Sequence, residues 1–341
     1  MRQRTFIILL TLAVLMTSGG YLWSQLRARV ELVVVPVSVR DAEGKLVTGL
    51  TKDDFVVKED GVPQSIANFS IEPAPLSAAI IVDDGMGGNS LKRLIPLLDQ
   101  MTAGFAPEDE MVAYRYDHFV WKLTNFTNDH NVIVKSFGEL GKIADTRPAD
   151  GEPGEPLHAT LPWLHVTIGS NGAPVPVPSA ADRPKAPPTS KVLNNAVMEA
   201  ADLLKPRPDP KRKIIMLISD GQVNGAGNTQ PLEKTIDFLL QNRMQVYCVA
   251  TDWALREGSF GLLSIYANAT GGDVYPGGNA KDMEYAFSKI TEQARNQYVL
   301  SYVSTNEPRG LQGVRREIAI DTRHPNQKVT HRKSYIQYPV R

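Results

Sequence analysis

From residue 78 to residue 294, short and largely apolar runs, wholly so at 78–82, alternate with stretches of helical spacing. The apolar runs at 78–82, 111–116, 214–218, 246–250 and 274–275 have the length and composition of strands buried on both faces. Between them, residues 91–101, 132–140, 192–204, 232–240, 260–269 and 283–294 repeat apolar side chains at helical intervals. Pro96 implies a kink or a later start in the first of these, and Gly271-Gly272 ends the fifth. A further strand is expected at 119–123. This alternation predicts an α/β fold with a doubly wound, mostly parallel sheet.

The ends of the chain read differently. Residues 32–39 form a valine-rich strand, and Pro36 within it cannot donate to a ladder, which predicts an edge or bulged strand. A return strand is expected to start at Leu46-Val47. Residues 54–59 lead into Asp60-Gly61, a strong hairpin signal, and 64–69 alternate at the strand period. Strand character returns at 298–303, 316–321 and 329–333. Neither cluster buries its apolar face alone, so the two are expected to pair into a small β-sandwich-like domain carrying the α/β body as an insertion. The predicted organisation is a leader at 1–25, β-domain at 30–73, α/β domain at 76–295 and β-domain again at 296–341. Within the α/β domain, residues 145–189 are rich in Pro, Gly and Ala and read as an excursion.

Arg2 and Arg4 precede the apolar run 6–16, followed by Thr17-Ser18-Gly19-Gly20. This is the pattern of an export segment, with Gly20 the best cleavage point. The apolar character continues to Trp23, about the length of a short membrane span, so cleaved signal and uncleaved anchor both stay open. In either case the body is expected to be periplasmic, secreted or anchored on the outer face of the inner membrane, and any membrane contact is through this segment. Lys plus Arg and Asp plus Glu are 37 each, so no net positive field exists to gather nucleic acid. The single cysteine, Cys248, is expected to be a small strand hydrophobe.

Open wound sheets bind ligands beyond the carboxyl ends of their strands, where strand order reverses. Two predicted strands end there in acidic loops, one at Asp83-Asp84-Gly85-Met86-Gly87-Gly88-Asn89-Ser90 and one at Ser219-Asp220-Gly221. Carboxylates converging from separate strands beside hydroxyls suit a hard cation such as Mg²⁺ or Ca²⁺. The competing reading is that both aspartates cap helices or shape turns.

Val82-Asp83-Asp84-Gly85-Met86-Gly87 together with Leu217-Ile218-Ser219-Asp220-Gly221 resembles the von Willebrand factor type A domain. The leading Glu59-Asp60-Gly61-Val62-Pro63-Gln64 and the trailing Gln297-Tyr298-Val299-Leu300-Ser301-Tyr302 are similar to the acidobacterial-type members of the VWFA-related proteins. Arg332-Lys333-Ser334-Tyr335 departs from that family, which usually has Gly before Tyr. The resemblance implies a metal-ion-dependent adhesion site, with Asp83 as the first ligand, Asp220 as the second aspartate and the threonine place at Ser190 or the adjacent Thr189. The two serine places of the family fall on Gly85 and Gly87, which have no side-chain oxygen. Of the about six oxygens such an ion needs, two would have to come from water or from Asp84, Asn89 or Ser90.

The function so implied is non-enzymatic recognition of a protein ligand, one that offers a carboxylate to the open metal position, through a degenerate adhesion site. The alternatives are a metal-free scaffold and a nucleotide- or phosphate-binding protein. Against the last, Ser90 replaces the third glycine of G-x-G-x-x-G, no P-loop lysine follows, and Asp83 and Asp84 repel phosphate. No hydrolase motif is present, and Asp117-His118 is the one suggestive acid–base pair.

Overall fold

The computed structural model describes residues 32–71, 73–146, 191–223, 227–257, 260–307 and 313–338. The segment expected to direct export, most of the Pro-rich excursion, Thr189 and Ser190 lie outside the described residues.

The chain begins with β1 (Leu32–Arg40), β2 (Phe55–Glu59), β3 (Val62–Gln64) and β4 (Ile66–Ser70). β2 and β3 form the expected hairpin, with Asp60 at φ 48° and Gly61 at φ 80°, the paired positive angles of a tight two-residue turn. Next come β5 (Leu76–Asp83), α1 (Gly88–Leu94), β6 (Glu110–Tyr116), β7 (Val120–Lys122), α2 (His130–Ser136) and α3 (Leu140–Thr146). After the undescribed stretch follow α4 (Leu193–Leu204), β8 (Arg212–Ser219), α5 (Leu232–Gln241), β9 (Gln245–Ala250), α6 (Asp252–Glu257), α7 (Gly261–Thr270), β10 (Val274–Pro276) and α8 (Ala280–Arg295). The chain closes with β11 (Tyr298–Val303), β12 (Val314–Thr322), β13 (Lys328–His331) and β14 (Ser334–Gln337).

The central sheet has the order β10-β9-β8-β5-β6-β7, parallel except for β7, which folds back on β6 as an antiparallel edge. Successive residues of β5 feed opposite cores, which is why the run is apolar throughout. Ile80 and Val82 pack with Leu91 of α1, Ile133 of α2, Ile143 of α3 and Phe287 of α8. Ala79 and Ile81 pack with Val197 of α4, Leu239 of α5 and Tyr266 of α7. Instead of a kink or a later start, Pro96 marks the end of α1, which begins at Gly88 and gives way to a 3₁₀ segment at Ile95–Gln100. The single helix expected at 132–140 is instead two, α2 and α3. Phe137 and Gly138 donate to Val134 and Lys135 in a tight turn that redirects the axis. Cys248 is fully buried in β9, and burial pushes its thiol far above the ordinary range.

Both chain ends build two four-stranded antiparallel sheets, β13-β1-β11-β4 and β14-β12-β2-β3, around one shared core. Val35, Val37, Phe55, Val57, Tyr298, Leu300, Ile318 and Ile320 meet there. β1 is an inner strand rather than an edge, yet the logic of Pro36 survives locally. β13 pairs only with Val37–Arg40, so Pro36 stands where the ladder on that flank has not begun. Leu46 makes a single bridge to Arg40 instead of starting a strand. The strand expected at 329–333 ends at His331 as β13, and the chain then crosses to the other sheet as β14, which the sequence pattern did not announce. A strand that turns a sandwich corner keeps its β composition through the crossing, so the sequence pattern alone does not mark the break.

His331, at the end of β13, is buried. Its Nε2 accepts the Ile320 amide at 3.2 Å and its Nδ1 lies 2.7 Å from the Arg332 carbonyl, an arrangement that requires the neutral ring with hydrogen on Nδ1. Burial, reinforced by Lys333, lowers its pKa to about 4. Because the folded value lies below the ordinary 6.5, this contribution is complete above pH 6.5 and is lost as pH falls from there towards 4. The expected loss is at most about 3 kcal/mol. An NMR titration of the folded chain should place the imidazole midpoint near 4, and a midpoint near 6.5 would refute the assignment.

Candidate functional site

β6 lies on one side of β5 and β8 on the other, so the strand order reverses at the β5–β8 boundary. Asp83 is the last residue of β5, Ser219 the last of β8, and Asp220 follows it. Parallel pairing in register, Val82 opposite Ile218, brings these two carboxyl ends side by side at the rim where a wound sheet places its ligands. The expected convergence of positions 83 and 220 is therefore met.

Asp83 is fully buried, and each of its oxygens is engaged. Oδ1 accepts the Gly85 amide at 3.0 Å, and Oδ2 accepts the Ser219 hydroxyl at 2.7 Å and the Lys191 ammonium at 3.3 Å. Ser219 in turn accepts from the Tyr116 hydroxyl and the Gly221 amide, both at 3.1 Å. Asp220 accepts the Gln222 amide at 2.9 Å. Its two oxygens also take Lys191 Nζ at 2.8 and 3.0 Å. Burial pushes the Asp83 carboxyl up to about 6, Lys191 opposing and Asp220 adding to the rise. For Lys191, burial acts to lower the pKa, but Asp83 and Asp220 outweigh it and the group is raised. Lys191 therefore stays an ammonium.

Of the neighbours named as replacement ligands, Asp84 and Ser90 are engaged elsewhere. Asp84 pairs with Arg115, whose guanidinium lies 3.8 Å from the centre of the Trp121 ring. Ser90 is bonded to Asp252 and accepts from Arg93 at 3.0 Å, and Asn89 is exposed on α1. Gly87 stands at the N-cap of α1 without contributing a side-chain cap. Asp117 and His118 are 3.6 Å apart, and Asp117 Oδ1 accepts the amides of His118 and Phe119, the work of a loop anchor.

These residues do not fit a divalent ion. Such an ion needs about six oxygens, and here Gly85 and Gly87 offer none, while an ammonium stands between the two carboxylates that remain. Among the described residues no group of three or more His, Cys, Asp or Glu is disposed to hold a metal. Lys191 is the residue that the sequence reading missed. Its signal is joint, a lysine at the entry to α4 together with glycine at a serine place of the facing loop.

Fold and rim define an open, doubly wound α/β domain with an acidic switch point, carried on a β-sandwich made from both chain ends. Its mostly parallel wound sheet, flanking helices and converging Asp83 and Asp220 are those expected from the resemblance to von Willebrand factor type A domains. No family model and no curated protein matches the sequence. Solved structures do align. The conserved hypothetical protein BatB from Bacteroides thetaiotaomicron is 12% identical over 65% of this chain and 100% of its own, with a TM-score of 0.41. A von Willebrand factor type A protein from Catenulispora acidiphila is 11% identical over 92% of this chain and 75% of its own, with a TM-score of 0.40. The manganese-loaded TRAP protein of Plasmodium vivax is 10% identical over 82% and 98%, with a TM-score of 0.39.

Proposed function

We propose that this is an exported, non-enzymatic recognition protein that binds a protein partner through the loop crown formed by residues 83–90, Lys191 and 219–223. One observation carries the reading. The ionisable side chains that converge at the switch point, Asp83, Lys191 and Asp220, are buried and satisfied by one another and by structural donors, which suits a framework for the exposed crown loops rather than proton transfer. Export rests on the leader-like pattern of residues 1–23. All three Nζ donors of Lys191 face Asp83 and Asp220, so a partner would meet the exposed crown residues Asn89 and Gln222 rather than a metal ion or this ammonium.

Photo-crosslinking tests the crown directly. Asn89 and Gln222 are exposed on it, and Glu108, just before β6, lies at the opposite rim. A photoreactive residue at 89 or 222, expressed in the source cells, is expected to yield a discrete protein adduct that the probe at 108 does not. The same adducts from all three positions, or none, would reject the crown as the binding face. Recovery of the chain in the cytoplasmic fraction would reject export.

A further inference from the structure

We propose that Lys191 is a tethered cation that permanently occupies the place of a metal ion between Asp83 and Asp220, so that the crown is complete without divalent ions and excludes them. The geometry is that of a filled site. An ammonium has three donors, and Lys191 Nζ finds three acceptor oxygens, at 2.8, 3.0 and 3.3 Å. Its backbone is held on both sides of the entry to α4. The Val192 amide donates to the Asp117 carbonyl at 2.8 Å, and Asn228 Nδ2 donates to the Lys191 carbonyl at 3.1 Å. Asn228 is itself fixed by accepting the Asn194 amide at 2.8 Å.

The path of the side chain explains why glycine stands at position 85. A Cβ there would lie 3.1 Å from Lys191 Cγ, 3.2 Å from its Cε and 3.3 Å from Asp117 Cβ. Those distances are tighter than ordinary contact, so a side chain there would oblige the lysine stem and Asp117 to give by a few tenths of an ångström. The missing oxygen at position 85 and the cation from position 191 thus lie side by side, the lysine stem passing directly over the glycine. A divalent ion in the same place would face a positive charge tethered within bonding distance of both its ligands, and the covalent tether gives that charge an effective concentration free ions do not reach.

Titrating the full chain in detergent with Mn²⁺, Mg²⁺ and Ca²⁺, by calorimetry and by thermal melting, tests this without any partner. Its failure is therefore distinguishable from a failure of the crosslinking. The wild-type chain is expected to show neither saturable heat nor a shift in Tm. Lys191→Ala is expected to melt about 10 °C lower, because buried Asp83 and Asp220 lose their cation. Mn²⁺ should then restore part of the loss in a saturable manner, and Lys191→Ala combined with Asp220→Asn should lose that rescue. Lys191→Gln, which keeps the stem but not the charge, supplies the same comparison if the alanine variant fails to fold. Saturable binding by the wild-type chain that Asp220→Asn abolishes would overturn the proposal. So would folded Lys191 variants that respond to none of the three ions.

Discussion

Replacing Glu59 by alanine is expected to cost about 3–5 kcal/mol and to lower Tm by about 10 °C, among the largest effects of any single change in this chain. Glu59 ends β2 and is fully buried inside the sandwich. Its Oε2 accepts the hydroxyls of Tyr302 at 2.8 Å and Tyr335 at 3.0 Å. Its Oε1 accepts Ser304 Oγ at 2.6 Å and Asn306 Nδ2 at 2.7 Å. Burial and then Glu59 itself push the Tyr302 phenol well above its usual range, which keeps it a donor. Alanine leaves these donors facing a cavity, and each buried group without an acceptor costs about 1–3 kcal/mol. Glu59→Gln retains one acceptor oxygen and should lose less than half as much. Chemical denaturation of both variants checks the claim, and a loss below about 1 kcal/mol for alanine would show that the donors find water instead.

Gly272→Ala is expected to prevent folding or to cost more than about 3 kcal/mol. A Cβ at this position would lie 1.9 Å from the Val246 carbonyl oxygen and 2.7 Å from its carbon. The obstacle is the backbone of β9, an inner strand of the central sheet, and it cannot swing aside as a side chain would. Gly271 adjoins it at φ 82°, closing α7 in the left-handed conformation, where a Cβ would lie 2.6 Å from the Arg332 amide nitrogen of the β-domain. The pair therefore packs the end of one helix against both domains at once. Soluble yield and melting temperature decide the matter, and a variant that melts with the wild type would remove close packing as the reason for glycine here.

Much of this was legible before any coordinates. Asp60-Gly61 specified a hairpin because positive φ at both turn positions is a local demand. Gly271 stopped α7 for a related reason, and β5 declared its burial by having no polar face. Asp83 and Asp220 were found because a strand that ends in an acidic loop is a short-range pattern, and the rule for wound sheets says where such ends meet. What stayed hidden depends on neighbours far away in the chain. The crossing from β13 to β14 just after His331 follows from the partners each strand finds, β1 for one and β12 for the other.

Lys191 is the plainest case. It lies 108 residues from Asp83 and 29 from Asp220 along the chain. A flexible charged side chain beside an undistinguished helix start looks like a solvated surface group. The sequence by itself determined the α/β alternation and the acidic rim, since each is written in composition and periodicity over a few residues, while the pairing of the two chain ends followed only from their need to bury apolar faces. Only the tertiary structure decided what stands between the two aspartates. Occupancy of a buried site depends on which side chain reaches it and whether the opposing backbone leaves room, and both depend on the packed arrangement of β5, β8 and the entry to α4.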